Sequence, residues 1–455
     1  MSEQDTICAV STPLGEGGIG IIRMSGSDAI AIAARLFRPK HVPLDVAGTH
    51  TIHYGHIIEP ATGETVDEAL VSVMHAPSTY TREDVVEINC HGGMMPLWRT
   101  AHLLIASGAR QAEPGEFTKR AFLNGRIDLA QAEAVMDVIR AKTELSHRAA
   151  NEQLLGALSS ETTALRDRLL SLLASVEAGT DFPDEDIETP SGGTLESEVA
   201  ALGEAVQELL AGHVYGKVVR EGIATAIVGR PNVGKSSLLN SLLKQDRAIV
   251  TEVPGTTRDV LEDYLNISGL PVRILDTAGI RHSADVVEQE GVRRSIAAIR
   301  AADIVLIVLD GSSPLTMEDE RVLEEARGRT AVAVVNKSDL PRRLGNLAWP
   351  EIQVTLSCTT GDGLERLRRT MVDMIKRGAI APREHAWAVN QRHRTALEQA
   401  KASLEKALIS ARARLSPELL AVDLRDAIDS IGLIIGATYT EDILERIFRD
   451  FCVGK

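Results

Sequence analysis

Aromatic residues make up only 3% of the 455-residue chain, as three Trp, five Tyr and six Phe. Recognition of nucleic acid by stacking bases on rings therefore has few rings to use. Cysteine is equally sparse: Cys8, Cys90, Cys358 and Cys452 lie far apart and form neither a zinc pattern nor a disulfide framework, which suits a reducing compartment. The longest aliphatic run, Ile304 to Leu309, is far short of the ~20 residues a membrane helix needs. The opening MSEQDTICAV has no basic and no apolar signal region, so a cytoplasmic protein with no membrane association is expected. Positive charge is missing from Leu169 to Gly216, a stretch that supplies two-thirds of the net charge of −15. A broad positive field for indiscriminate nucleic-acid binding is excluded; one local basic face is not.

What is present is a soluble composition, 44% hydrophobic and 25% charged, arranged in successive textures. Residues 1–118 alternate short β-branched runs (GIGIIRM, ALVSVMH, DVVEINC) with Gly and Pro punctuation, which predicts an α/β domain. Residues 119–215 are helix formers with apolar i, i+3, i+4, i+7 spacing, broken by the loop DFPDEDIETPSGG. Residues 216–378 alternate strands (IATAIV, VRILD, DIVLIVLD, AVAVVN, IQVTLS) with helices, which predicts a mostly parallel sheet. Residues 379–455 are helical again. The α/β block is either inserted in one helical domain, the more economical arrangement, or flanked by two independent ones.

The strongest motif is GRPNVGKSS, Gly229 to Ser237, between a strand and a helix. It fits the phosphate-loop pattern in its required context. Backbone N–H groups around Asn232, Val233 and Gly234 converge on phosphates at the positive end of a helix. Lys235 supplies a point charge, the Ser236 hydroxyl can ligate Mg²⁺, and Ser237 follows it. DTAG (Asp276, Thr277, Ala278, Gly279) follows the next strand; Asp276 can hold the Mg²⁺ shell and Gly279 can sense the γ-phosphate. NKSD follows another strand, and Asp339 offers a carboxylate to the N1–H and 2-amino donors of guanine, with Asn336 and Lys337 beside it. Ser357 in SCT stands where a second base contact is expected, in a degraded form of the usual triplet. In PGTTRD, Thr257, or less readily Thr256, is the switch Thr for Mg²⁺ and the γ-phosphate. GTP is the expected substrate.

Ras-type GTPases place a Gln directly after DxxG to orient the attacking water, but here that position is Ile280. Catalytic help must come from elsewhere. Asn232, next to the β-phosphate, can hold a monovalent cation that neutralises developing charge.

With GRPNVGKSS, PGTTRD, DTAGIR and NKSD, the chain resembles the TrmE–Era–EngA-like GTPases. The ending FCVGK, the loop DFPDED, the HGG at His91 to Gly93, PGEFTKRAFLNGRIDLAQAEAV and TPLGEGGIGIIRMSG narrow the resemblance to the MnmE (TrmE) family, over essentially the whole chain. That resemblance implies a homodimeric, potassium-activated GTPase working with the FAD-dependent MnmG. Together they would form a carboxymethylaminomethyl or aminomethyl group on the wobble uridine of certain tRNAs. It implies an N-terminal domain that dimerises and binds 5-formyl- or methylene-tetrahydrofolate, and a Ras-like G domain inserted in the helical domain. Family K⁺ ligands fall on Asn232, Thr251, Val253 and Thr256; Thr251 also counts with the GTP-binding residues. The family's catalytic Glu falls on Glu288. Folate positions fall on Arg23, Glu87, Arg126 and Lys455, with Arg126 in place of the more usual Lys. Cys452 corresponds to a C-terminal cysteine near the folate.

An Era-like RNA-binding switch is the alternative. It would be expected to append a KH domain, yet residues 380–455 contain no GXXG and carry 11 basic and 11 acidic residues. The pair His53 and His56 has no acidic or Cys neighbour to make a metal site, and DFPDED lacks the alternation of a Ca²⁺ loop.

Overall fold

The computed structural model describes residues 5–181, 192–246, 263–275, 288–378, 387–449 and 451–455. Most of the acidic loop, residues 182–191, lies outside them. The described residues divide into two compact units, 5–136 with 432–455, and 137–431.

In the first unit the β-branched runs become strands of one sheet. These are β1 (Ile7–Val10), β2 (Gly17–Ser25), β3 (Phe37–Pro39), β4 (Thr51–Ile58), β5 (Thr65–Met74), β6 (Val85–Gly92) and β7 (Arg110–Gln111), in the order β3-β4-β5-β6-β2-β1-β7. Pairing is antiparallel except between β1 and β7. Side chains at period two, Ala69, Val71 and Val73 on β5 and Val86, Ile88 and Cys90 on β6, meet the apolar stripes of α1 (Ala29–Leu36) and α2 (Met94–Ala106) in one core. The unit reaches beyond the expected limit of 118. Phe122, from α3 (Glu116–Leu123), and Leu129 and Met136, from α4 (Leu129–Arg140), form a core with Leu444 and Phe448 of the helix Glu441–Phe448 and with Phe451. Burying those aromatics draws the C-terminal segment out of the helical texture and onto the N-terminal sheet. A charge network fastens α3: Arg110 and Arg120 both bind Asp5 at 2.7 Å, and both bind Glu116, at 2.6 and 3.0 Å.

The second unit opens with α5 (Glu144–Leu154), α6 (Ala157–Asp181) and α7 (Gly192–Glu221). The expected strands then appear as β8 (Ile223–Val228), β10 (Leu270–Leu275), β11 (Ile304–Asp310), β12 (Ala331–Asn336) and β13 (Gln353–Thr355), joined by β9 (Asp263–Ile267), which was not among them. The order is β13-β12-β11-β8-β10-β9, parallel but for the β9–β10 hairpin. Every residue of β8, β11 and β12 is buried, as helices on both faces require. Those helices are α8 (Lys235–Asp246), α9 (Glu288–Ala301), α10 (Met317–Glu325) and α11 (Leu364–Gly378). The chain then returns through α12 (Gln391–Arg412) and α13 (Pro417–Ile435).

Helix α7 continues to Glu221, past the boundary expected at 215. Two glycines near its end are contact points: a Cβ on Gly212 would stand 2.5 Å from the Trp387 carbonyl, and one on Gly216 would stand 2.5 Å from that of Val389. Bare backbone there lets the returning chain lie against α7, and α12 packs along the same helix. The sheet is thus an insertion within one helical domain.

Candidate nucleotide and second-ligand sites

The first site is built at the C-terminal ends of β8, β11 and β12, where parallel sheets place their ligands. After the buried β8, the loop of residues 229–234 leads into α8. Asn232 adopts φ 63°, a left-handed turn that Asn tolerates. Gly234, at φ 103°, has no room for a side chain, because a Cβ would lie 2.2 Å from Asn336 Nδ2. That amide donates to the Val233 carbonyl at 2.9 Å, and its Oδ1 accepts from the Cys358 N–H at 3.1 Å. Asn336, buried, therefore ties the phosphate loop to the NKSD and SCT loops. Lys235 Nζ donates to the carbonyls of Gly229 and Arg230 at 2.7 and 2.8 Å, and burial lowers its affinity for a proton. An incoming phosphate would offer the charge that two carbonyl dipoles only partly supply.

On the base side, Asp339 presents an exposed carboxylate, one oxygen of which accepts from Ser357 Oγ at 2.5 Å. Ser357 is fully buried and accepts from the N–H groups of Thr359 and Thr360 at 3.2 Å. In this structure it orients Asp339. Lys337, at φ 66°, sends its ammonium to Asp310 Oδ2 at 2.6 Å, which anchors the far end of its side chain. Burial pushes the Asp310 carboxyl up, but the Lys337 ammonium and two donors from Ser312 outweigh it and hold the group below its ordinary value.

Two anchors were not among the expected site residues. Arg230, inside the phosphate loop, donates to Asp319 Oδ2 at 3.1 Å and to Ser313 Oγ at 2.7 Å. Asp319 closes a capping box with Thr316 at the start of α10. The signal was legible as TMED, a hydroxyl followed three positions later by an acid; Asp310 carried none. Ser236 and Ser237 lie in the first turn of α8. Glu288 begins α9, but its side chain falls outside the described residues. So do Thr251, Val253, Thr256, Thr257, Asp276, Thr277, Ala278 and Gly279.

The second site lies in the first unit. Arg23 and Glu87 stand directly opposite on β2 and β6, and Arg23 Nε and Nη2 reach Glu87 Oε1 at 2.8 and 2.6 Å. Among the described residues the other Glu87 oxygen has no partner, so it can accept an N–H from a ligand. Arg23 also approaches the Gly454 carbonyl at 3.4 Å, placing the C-terminal segment with Cys452 and Lys455 beside it. Val453 bridges to Pro114, and the Cys452 carbonyl accepts from the Gly115 N–H; the Cys452 residue is exposed. Two guanidiniums approach the Tyr80 ring, Arg23 at 5.9 Å and Arg126 at 4.8 Å from its centroid, and its hydroxyl is 2.9 Å from Thr118 Oγ1. The structure thus gathers Arg23, Glu87, Arg126 and the segment bearing Lys455. Tyr80, which no spacing rule points to, joins them as an aromatic ring approached by two planar cations.

The model of the MnmE helical domain matches residues 129–452, and that of the GTP-binding protein TrmE N-terminus matches residues 6–126. The tRNA modification GTPase MnmE of Geobacillus kaustophilus is 48% identical over 462 residues, covering 100% of both chains. The chain belongs to the MnmE family. The protein of the same description from Thermoanaerobacter sp. is 47% identical over 457 residues and 99% of each chain. The G domain of the T. maritima FeoB protein is 21% identical and covers 33% of this chain and 97% of that one at a TM-score of 0.23, too low to bear on function. As an MnmE-family member the protein is a GTP hydrolase of tRNA modification, binding GTP and Mg²⁺. No helix among the described residues is long and apolar enough to cross a membrane.

Proposed function

We propose that this GTPase works as a potassium-activated homodimer with the FAD-dependent MnmG in the cytoplasm. Together they form the carboxymethylaminomethyl or aminomethyl group on the wobble uridine of certain tRNAs. The one-carbon unit comes from 5-formyl- or methylene-tetrahydrofolate. What carries the reading is the pairing, in one chain, of a guanine-nucleotide loop set with a separate cluster of different chemistry, in which Glu87, Arg23, Tyr80 and Arg126 converge. A folate needs such a set: a carboxylate for the pterin N–H edge, a platform for its rings and a cation for its glutamate. Lys455 and Cys452, on the segment held against Arg23, complete it.

In the G domain, residues 216–378, Asp339 and Lys337 read guanine, with Ser357 holding Asp339 in place. Asn232, Val233, Gly234, Lys235, Ser236 and Ser237 take the phosphates. The cradle fits Mg²⁺ and its nucleotide, since Gly234 leaves room only for bare backbone and Ser236 lies in the first turn of the helix beside it. Ser236 and Thr257 would hold Mg²⁺, with Asp276 in its shell. Asn232, with Thr251, Val253 and Thr256, would hold K⁺. These cations supply positive charge where negative charge grows on the leaving phosphate. Lys235 shares that work from its side of the loop, Gly279 with Thr277 and Ala278 senses the γ-phosphate, and Glu288 positions the attacking water through a second water.

The test is GTP hydrolysis in matched potassium and sodium buffers over a range of protein concentrations. A gain of tenfold or more in potassium, about 1.4 kcal/mol of barrier, rising with concentration, is expected. Equal slow rates in both salts would remove the roles of Asn232 and Glu288.

A further inference from the structure

We propose that the cavity beside Tyr80 and Arg126 binds the chain of extra γ-linked glutamates that cellular folates carry, so that the protein selects polyglutamylated over monoglutamylated donor. The inference rests on the folate reading and extends the same site. The cavity measures about 460 Å³ and is lined by His50, Ser78, Thr79, Tyr80, Arg82 and Arg126, among others. Its volume lies in the range of small-molecule sites. Tyr80 and Arg126 belong both to this cavity and to the cluster around Arg23 and Glu87. A ligand whose pterin meets Glu87 and whose rings cross Tyr80 therefore reaches Arg126 with its glutamate, and anything attached beyond enters the cavity.

The lining suits that attachment. Each added glutamate brings one more carboxylate and a short apolar stem, and the cavity offers guanidiniums beside Met74 and Pro77. Among the described residues neither Arg82 nor Arg126 has a carboxylate partner, and no carboxylate lines the cavity. The contrast with Arg110 and Arg120, each engaged by two or more carboxylates, is plain. Arg82 is held in place: its Nη1 donates to the Asn124 carbonyl at 2.9 Å, and Asn124 Nδ2 donates to the Thr81 carbonyl at 2.6 Å. One bond leaves the rest of the guanidinium fork for carboxylates. His50 and Arg82, both lining the cavity, adopt left-handed backbone, at φ 58° and 59°. Strained backbone of this kind collects at ligand sites.

Calorimetry on the full chain with mono- and pentaglutamyl 5-formyltetrahydrofolate tests this. The pentaglutamyl form should bind roughly three- to fivefold more tightly, the effect of one exposed charge-assisted contact at Arg82, and the gain should shrink in high salt. In Arg82→Gln the gain should fall below about twofold, with the monoglutamyl affinity holding as the control for an intact fold. Equal affinity of the two forms for the wild type overturns the proposal while leaving the folate reading in place. A gain that survives Arg82→Gln overturns its assignment to this cavity. If Arg82→Gln instead weakens tRNA binding and spares the gain, the two arginines serve a nucleic-acid phosphate and the proposal falls. Failure of both forms to bind removes the folate reading itself.

Discussion

At the nucleotide site, Asn232, Gly234, Lys235 and Ser236 follow one another at the end of a single strand. At the second site, Arg23 and the Gly454 carbonyl are 431 positions apart in sequence, with Tyr80, Glu87 and Arg126 drawn from other segments. The difference follows from what each site is proposed to hold. Phosphate is bound by consecutive backbone N–H groups at a helix start, so its residues must be neighbours in sequence. A flat, many-edged ligand is held by side chains from several directions, and an antiparallel sheet supplies them through register: Arg23 meets Glu87 because β2 pairs with β6 at that offset.

Four changes test how far the two sites differ. The largest effect belongs to Asp339→Asn, which removes the charged acceptor for guanine. GTP affinity should fall by about 100-fold, ~2.7 kcal/mol, with xanthine nucleotides gaining, and folate binding should not move. Unchanged GTP affinity in nucleotide titrations would break the base-reading assignment. Next comes Arg23→Ala, which frees Glu87 from its partner and leaves its charge uncompensated. Folate affinity should drop by about 30-fold, on the order of 2 kcal/mol, with GTP affinity intact; calorimetry with both ligands decides it. Asp319→Asn should raise the GTP KM three- to fivefold, about 1 kcal/mol, because Arg230 loses its anchor and the phosphate loop its fixed shape. If kcat falls and KM holds, Arg230 serves the chemical step instead.

The smallest effect is on acid stability. The Arg110 guanidinium, joined by Arg120, holds Asp5 below its ordinary value of 3.8. Burial pushes Glu116 up, but Arg110, the Glu113 N–H and Arg120 together hold it below 4.5. The folded state therefore binds fewer protons than the unfolded chain in this range. The stabilisation is complete above about pH 4.5 and is lost as pH falls through the lowered values. Asp5 is partly exposed, so the effect is modest. Thermal melts should show Asp5→Asn losing roughly 1–3 °C less than wild type over that descent; parallel losses would show that Asp5 is not a titrating member.

Legibility in the sequence tracks the same division. IATAIV, DIVLIVLD and AVAVVN read as buried strands because helices cover both sides of a parallel sheet, and the phosphate loop and NKSD were visible at their ends. The end of α7 was not legible, since nothing in its sequence shows that bare backbone at Gly212 and Gly216 serves the approach of a neighbouring chain. The segment from Gly432 to Lys455 carries helical periodicity, but periodicity does not say which core receives Leu444, Phe448 and Phe451. Arg23 and Glu87 were named through family resemblance, whereas Tyr80, Asp310 and the Arg230–Asp319 tie came from the structure.

By itself, the sequence determined the alternation of strands and helices, the phosphate loop and the NKSD segment that ends in Asp339. Each is encoded within a short stretch, by hydrophobic period or by contiguous motif. Only the tertiary structure decided that α7 and α12 form one domain around the inserted sheet, that Asn336 ties the phosphate loop to the NKSD and SCT loops, and that the C-terminal segment joins Arg23, Glu87 and Tyr80. Those contacts depend on strand register and on which apolar faces meet, and neither is written in any local run of residues.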